Sequence, residues 1–92
     1  MMVLVIYDIP DDNLRLQVAK YLKRMGLNRV QKSAFIGDLT PALRAELVTG
    51  LQRLIRGKKA NIQIYPLTQA SFNQRIVLGV TLTYDDEDRL LT

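Results

Sequence analysis

The 92-residue sequence contains no cysteine and no histidine. Without cysteine, the chain has no disulfide, no thiolate metal ligand and no cysteine nucleophile. Without histidine, it has no Ser-His-Asp triad, no imidazole metal ligand and lacks the commonest general base. Glycine-rich phosphate loops of the standard spacings are also missing. Any catalytic chemistry must therefore rest on carboxylates, lysine, tyrosine or an oxygen-bound cation such as Mg²⁺.

Long apolar segments are absent as well. No stretch approaches the roughly 20 residues of a membrane span, and the start lacks the charged region and cleavage site of a secretion signal. We therefore expect a cytoplasmic protein. With 48% hydrophobic residues in 92, residues 1–92 form a single small domain, for which oligomerisation is an expected source of additional burial.

Positive charge is concentrated in the body of the chain. Residues 85–92 hold four acids and one base, so residues 1–84 carry twelve bases against five acids, a net charge of +7. This asymmetry suits a polyanionic partner, although many small basic domains bind no nucleic acid. We predict a phosphate-contacting surface that includes several of these residues: Arg15, Lys20, Lys23, Arg24, Arg29 and Lys32.

The hydrophobic periodicity predicts the order β-α-β-β-α-β followed by one further strand. The segments are a strand ending at Tyr7-Asp8, a helix over 12–25, two short strands within 27–39 divided by a bulge or tight connection at Lys32-Ser33, a helix starting at Thr40-Pro41, a strand over 61–65, and, after a polar link, a strand over 75–84. This order is the split βαβ, ferredoxin-like α+β plan. Gly50 inside the second helix predicts a close contact between that helix and the sheet.

Asp8 is the most informative residue of the sequence. The apolar run before it is typical of a strand buried on both faces, and the helix-capping residues after it predict the start of a helix. Asp8 therefore lies where α/β-type folds expose ligand-binding crevices, although the same position also suits a residue that merely starts a turn. Asp11 and Asp12 are better explained as helix caps than as metal ligands.

Three segments, in this order along the chain, resemble the CRISPR-associated protein 2 family. They are V-L-V-I-Y-D-I-P-D-D-N-L-R (3–15), G-L-N-R-V-Q-K-S-A-F-I-G-D-L-T (26–40) and I-Q-I-Y-P-L (62–67). The resemblance implies a homodimer in which the C-terminal segment, residues 74–92, supplies a strand that extends the partner's sheet and ends in an acidic tail. It also implies that Asp8 of each subunit faces its twin across the interface.

The resemblance implies an endonuclease that cleaves RNA or DNA in spacer acquisition and in defence against foreign nucleic acid, with Mg²⁺ or another divalent cation such as Mn²⁺. The alternative is a non-catalytic dimeric adaptor that holds duplex DNA and bridges integrase subunits of the CRISPR-associated protein 1 family. A toxin-like interferase of the same fold is a remoter possibility. The sequence alone does not separate these activities.

By the same resemblance, Asp8 matches the family's catalytic and metal-linked aspartate. Residues matching positions assigned to activity or nucleic-acid contact are Tyr7, Arg15, Arg29 and Phe35. Three of these residues also have a plain structural explanation, with Tyr7 and Phe35 as packing residues and Arg15 as a solvated helix charge. Gln17 departs from related sequences, which often carry arginine there, and a neutral amide weakens a phosphate clamp on the first helix.

Overall fold

A four-stranded antiparallel sheet organises this computed structural model, which describes residues 1–80 and 82. The strands lie in the order β2-β3-β1-β4, so the first strand is central and pairs with β3 and β4. The elements of the described residues are β1 (Met2–Asp8), α1 (Asp12–Arg24), β2 (Asn28–Gln31), β3 (Ala34–Asp38), α2 (Pro41–Ile55), β4 (Asn61–Leu67) and α3 (Gln69–Asn73). The predicted ferredoxin-like plan is confirmed. Within this part of the chain, no helix is long and apolar enough to cross a membrane.

The two faces of the sheet differ in what covers them. Val3, Val5 and Tyr7 of β1 are buried, and they share one core with apolar side chains of α1 and α2. Because side chains alternate along a strand, Ile6 and Asp8 lie on the other face, where Ile6 is 38% exposed. We call this second surface the open face; the register also places these residues on it: Leu4, Ile36, Gln63 and Tyr65. The prediction that β1 is buried on both faces is therefore wrong for the single chain, because the helices cover one side only.

Local capping signals set the ends of the long helices as predicted. Asp11 caps α1, and its Oδ2 accepts a hydrogen bond from the Leu14 N–H at 2.7 Å. The chain then leaves α1 through Gly26, whose φ of 92° is a left-handed conformation that glycine adopts without strain. Thr40 caps α2, and Pro41 follows at its first turn.

The close approach at Gly50 is between helices, not between a helix and the sheet. A Cβ added at Gly50 would lie 1.9 Å from the Tyr21 hydroxyl oxygen and 2.3 Å from Cζ of the same ring. The Tyr21 hydroxyl donates a hydrogen bond to the Glu46 carbonyl oxygen at 3.1 Å, one turn earlier in α2. The sequence correctly predicts a close contact at Gly50 but assigns it the wrong partner, because periodicity does not say which neighbouring element meets a helix position.

The β2–β3 connection is a tight turn at Lys32 and Ser33, as predicted. The irregularity in register comes slightly earlier, between Arg29 and Gln31, so Val30 is the extra residue of a bulge. The short strand β2 is at the edge of the sheet, where such bulges are common.

The C-terminal prediction differs from the single chain in two respects. The expected polar link contains a short helix, α3, capped by Thr68, whose side chain accepts from the Ser71 N–H at 3.0 Å. In the single chain, none of the described residues 75–80 and 82 belongs to a strand, and the strand expected over 75–84 in the dimer stays a prediction. A strand requires a hydrogen-bonded neighbour, and no described strand pairs with this segment. Residues 81 and 83–84 of the prediction, and the acidic tail, lie outside the described residues.

Apolar side chains dominate the described part of that C-terminal segment. Ile76, Leu78 and Val80 are 85%, 88% and 82% exposed, and Leu82 is 61% exposed. Several exposed apolar side chains within one segment are unusual, because ordinary protein surfaces expose such residues singly. Pairing with a second subunit, the role that the sequence assigns to this segment, stays a prediction.

Candidate active site

Asp8 is the last residue of β1 and its side chain is exposed on the open face. In the β1–β4 pair Asp8 is directly opposite Asn61, the first residue of β4. On the other side of β1, the Tyr7 N–H donates to the Ser33 carbonyl oxygen at 3.0 Å, which brings the β2–β3 turn to the same level of the sheet. The carboxylate therefore lies at the end of the sheet where the β2–β3 turn and the start of β4 converge. We call this end of the sheet the Asp8 edge.

Two further carboxylates follow Asp8 closely in sequence but have structural partners. Asp11 caps α1, as predicted, and Asp12 forms an ion pair with Arg15. Among residues 1–80 and 82, no three acidic side chains come together to form a metal-binding group. In the described chain, Asp8 is the carboxylate at this edge that carries no such structural duty.

The donor set at this edge fits a divalent cation of the Mg²⁺ type in part. Asp8 offers carboxylate oxygens, and hard oxygen ligands are the ones that Mg²⁺ prefers. Mg²⁺ commonly binds through only one or two carboxylates and completes its shell with water and substrate phosphate oxygens. Residues 1–80 and 82 supply a single suitable carboxylate at this edge, which fits a site completed by substrate or by a second subunit.

Basic side chains lie next to the same edge. Lys58 and Lys59, in the connection from α2 to β4, line a groove of about 330 Å³ together with Pro10, Asp11 and Leu14. Both lysines are exposed, and they precede the Asn61 position by two and three residues. The groove therefore puts two compact positive charges beside the segment that follows Asp8, and lysine is well suited to binding phosphate.

The fold does not bring Tyr7, Phe35 and Arg29 to the face that carries Asp8. Tyr7 and Phe35 are buried on the helix side of the sheet, with ring centroids 6.2 Å apart. The Arg29 guanidinium lies 4.9 Å from the Phe35 ring centroid, within the range of a cation–π contact. Packing accounts for the positions of Tyr7 and Phe35, and the role of all three in nucleic-acid contact stays a prediction.

Arg15 joins the first turn of α1 to the segment that follows Asp8. It donates to the Ile9 carbonyl oxygen at 3.1 Å and pairs with Asp12, and its side chain is only 23% exposed. Two bonds of this kind fix the guanidinium, so Arg15 is not simply a solvated helix charge. It holds the 9–12 connection, and thereby the segment after Asp8, in place.

A second basic surface, which we call the helix groove, runs between α1 and α2. Two adjoining cavities of about 700 and 470 Å³ share Arg24 and Leu54 along its floor. The polar and charged side chains that line them are Gln17, Lys20, Lys23, Arg24, Glu46, Thr49 and Arg53. Four of these are cationic and one is acidic. Because α1 and α2 cover the side of the sheet opposite Asp8, the helix groove and the Asp8 edge are on different sides of the domain.

Sequence reasoning missed two residues of these surfaces. Asn61 appears only as the start of an alternating strand, and its place opposite Asp8 depends on the β1–β4 register. Arg53 is not among the residues that the sequence analysis singles out, and its place in the helix groove depends on how the two helices pack. The alternation of 61–65 puts Asn61 on the polar side of its strand, but no signal along the sequence pairs it with Asp8.

Fold and site together define a small ferredoxin-like protein with an exposed carboxylate at the end of its central strand and a basic helix layer. Comparison with known proteins gives the family. The family model described as CRISPR associated protein Cas2 matches residues 1–75. The chain therefore belongs to the Cas2 family of CRISPR-associated proteins.

Individual relatives agree with this assignment. The chain is 40% identical over 79 residues to the CRISPR-associated endoribonuclease Cas2 2 of Pyrobaculum aerophilum, covering 86% of this chain and 87% of that protein. It is 41% identical over 73 residues to the CRISPR-associated endonuclease Cas1/endonuclease Cas2 fusion of Thermoproteus tenax, covering 79% of this chain and 28% of the fusion. The crystal structure of Streptococcus pyogenes Cas2 superposes with a TM-score of 0.73 at 34% identity, covering 86% of this chain and all of that one (100%).

Proposed function

We propose that this protein is a CRISPR-associated endoribonuclease that hydrolyses phosphodiester bonds in RNA, with Asp8 at the reaction centre. The observation that carries the proposal is the exposed Asp8 carboxylate at the end of β1, in a family with curated members named as endoribonucleases. Since the chain has no histidine or cysteine, the carboxylate is the most suitable group at this edge for metal-assisted hydrolysis.

The cofactor proposed for this reaction is Mg²⁺ or a similar divalent cation, held by Asp8. When bound, such a cation stabilises the charge that develops on the phosphoryl oxygens and activates water for attack. The residues of the chain have separate tasks around it. Asp8 anchors the cation, Lys58 and Lys59 attract and orient the phosphate, and Arg15 fixes the segment after Asp8 through its bonds to Ile9 and Asp12.

We further propose that the active form is a homodimer assembled through the open face. The open face carries exposed apolar side chains such as Ile6 and Tyr65, and the described part of 75–82 adds five more that are at least 61% exposed. A 92-residue domain that leaves this much apolar surface uncovered gains burial by pairing with a second copy. Since Asp8 is on the same face, a second copy would bring a second Asp8 carboxylate towards the first.

Two partners complete the proposal. The helix groove, with four cations and one acid, suits the phosphate backbone of nucleic acid and lies away from the Asp8 edge. A Cas1-type integrase is the proposed protein partner, supported by the Thermoproteus tenax relative in which endonuclease Cas1 and endonuclease Cas2 are one chain. Action in the cytoplasm stays a prediction.

The experiment that tests the function separates cleavage from binding. Labelled single-stranded RNA, and DNA of the same sequence, are incubated with the protein in Mg²⁺, in EDTA, and in EDTA followed by excess Mg²⁺. We expect RNA cleavage that is lost in EDTA, returns with Mg²⁺ and is absent in Asp8→Asn, while Asp8→Asn still binds nucleic acid.

A different pattern supports the adaptor. If wild-type protein binds duplex DNA and a Cas1-type integrase but cleaves neither substrate under any of these conditions, the endonuclease proposal is refuted. Cleavage that survives in Asp8→Asn also refutes it, because the activity then belongs to another group or to a contaminant.

A further inference from the structure

A line of hydrogen-bonded polar side chains runs along β4 on the open face and ends opposite Asp8. The Tyr65 hydroxyl donates to Gln63 Oε1, and Gln63 Nε2 donates to Asn61 Oδ1 at 3.0 Å. The β1–β4 register places these three residues opposite Leu4, Ile6 and Asp8 in turn. The line therefore begins opposite an apolar position of β1 and ends at Asn61, the residue opposite Asp8 in the register.

The direction of these bonds fixes the orientation of the Asn61 amide. An asparagine side chain has one oxygen that accepts and one NH₂ group that donates. Since Gln63 already donates to the oxygen of Asn61, the NH₂ group is the end left to serve the position across the strand pair. Directly opposite residues of antiparallel strands have Cβ atoms about 4.5–5.5 Å apart, so side chains at such positions interact.

The surroundings make a purely solvating role a poor explanation. The neighbouring strand positions on this face are apolar, namely Leu4, Ile6 and Ile36. Two consecutive side-chain hydrogen bonds order three side chains, which costs conformational entropy, and exposed groups satisfied by water do not require such ordering. The register places the Asn61 amide opposite Asp8, and a donor in that position would restrict the carboxylate to one orientation, as partners of metal-binding carboxylates commonly do.

We propose that Asn61 is a positioning residue that orients the Asp8 carboxylate, and that Gln63 and Tyr65 fix the direction of its amide. The inference rests on the proposed function, because it assigns Asn61 a role in the reaction at Asp8. Asn61 itself need not touch substrate. Its contribution is to hold the Asp8 oxygens in the orientation in which they bind the cation.

The first test measures kcat and KM for RNA cleavage in Asn61→Ala, Gln63→Met and the double variant. We expect Asn61→Ala to lower kcat by about 10–100-fold with little change in KM, the usual range for partners of metal-binding groups. Gln63→Met, which keeps the side-chain length and suits an apolar face, should lower kcat without lowering the unfolding midpoint. The double variant should be no worse than Asn61→Ala, because Gln63 acts through Asn61.

The matched control is Gln69→Met. Gln69 Nε2 donates to Asn73 Oδ1 at 3.0 Å, which is the same kind of exposed glutamine–asparagine bond in α3 and outside the Asp8 edge. This variant should keep wild-type kcat. Loss of activity in Gln69→Met equal to that in Gln63→Met would overturn the inference, as would additive losses in the double variant or an unchanged kcat in Asn61→Ala.

A readout independent of activity is the side-chain NH₂ signal of Asn61 in ¹⁵N–¹H NMR spectra. We expect this signal to move in both Asp8→Asn and Gln63→Met, and the Asn73 signal to stay in place. If Asp8→Asn retains cleavage while the Asn61 signal still moves, the proposed function fails but the interaction between Asn61 and Asp8 is supported. If the Asn61 signal is unaffected by Asp8→Asn, the inference itself is refuted.

Discussion

Replacing Gly50 with alanine has two effects of opposite sign on the free energy of unfolding. Helix propensity alone favours alanine over glycine by about 1 kcal/mol in a helix interior. The structure opposes this gain, because the added Cβ would lie 2.3 Å from Cζ of Tyr21, well inside contact distance. The Tyr21 ring must move, and it then loses its bond to the Glu46 carbonyl and its contact with Arg24.

The magnitude follows from these terms. Overpacking of a tight contact costs about 1–3 kcal/mol, and the lost hydrogen bond is included in that range. After subtraction of the propensity gain, we expect Gly50→Ala to lower the free energy of unfolding by about 0–2 kcal/mol. In a Tyr21→Ala background the tyrosine ring is absent, so Gly50→Ala should raise the free energy of unfolding by about 1 kcal/mol.

The assay is urea unfolding of wild type, both single variants and the double variant at one fixed protein concentration, since an oligomer's stability depends on concentration. The cycle should give a coupling energy of about 1–3 kcal/mol between positions 21 and 50. If Gly50→Ala stabilises the wild-type protein by the full propensity gain, the helix–helix contact assigned to this glycine is refuted.

Two further predictions concern the partners. The variant Lys20→Gln/Lys23→Gln/Arg53→Gln should weaken single-stranded RNA binding and reduce the slope of log affinity against log salt by about 2 units, at about 0.7 per phosphate contact; an unchanged slope contradicts the helix groove as a phosphate surface. Deleting residues 75–92 should convert the dimer into monomer or aggregate in sedimentation velocity, and a wild-type protein that sediments as a monomer at micromolar concentration contradicts the dimer.

The parts of the fold that depend on local signals could be predicted from the sequence. The caps Asp11 and Thr40 accept hydrogen bonds from N–H groups three residues later in the chain. Such caps can therefore be recognised from neighbouring residues alone. The helix α3 is also capped locally, by Thr68, but it has five residues and no buried side chain, so it leaves no apolar periodicity to detect.

Features that depend on distant neighbours were harder to predict. The tight contact of Gly50 is evident from sequence, but its partner is decided by how α1 packs on α2. The alternating apolar residues of 75–84 indicate a strand, but a strand forms only where another strand is available, and the single chain offers none to the described residues. The alternation of residues 75–84 therefore predicts a strand of the dimer and not of the single chain.

The same distinction applies to the candidate site. The exposed position of Asp8 at the end of β1 follows from the strand, proline and cap that surround it. The alternation along β1 already places Tyr7 on the face opposite Asp8, but a run that is apolar on both faces hides this difference. Asn61 belongs to the Asp8 edge only through the register between β1 and β4, which the sequence does not display.

The most direct test of the central claim is a single-turnover measurement of RNA cleavage in saturating Mg²⁺ for wild type, Asp8→Asn and Asp38→Asn. Asp38 is a matched control, since it is an exposed aspartate on the same sheet whose register partner, Met2, is at the other end of β1. We expect Asp8→Asn to lose at least about 100-fold in rate, on the scale of losing one electrostatic stabiliser of the transition state, and Asp38→Asn to retain the wild-type rate. Equal rates for Asp8→Asn and wild type would contradict the account.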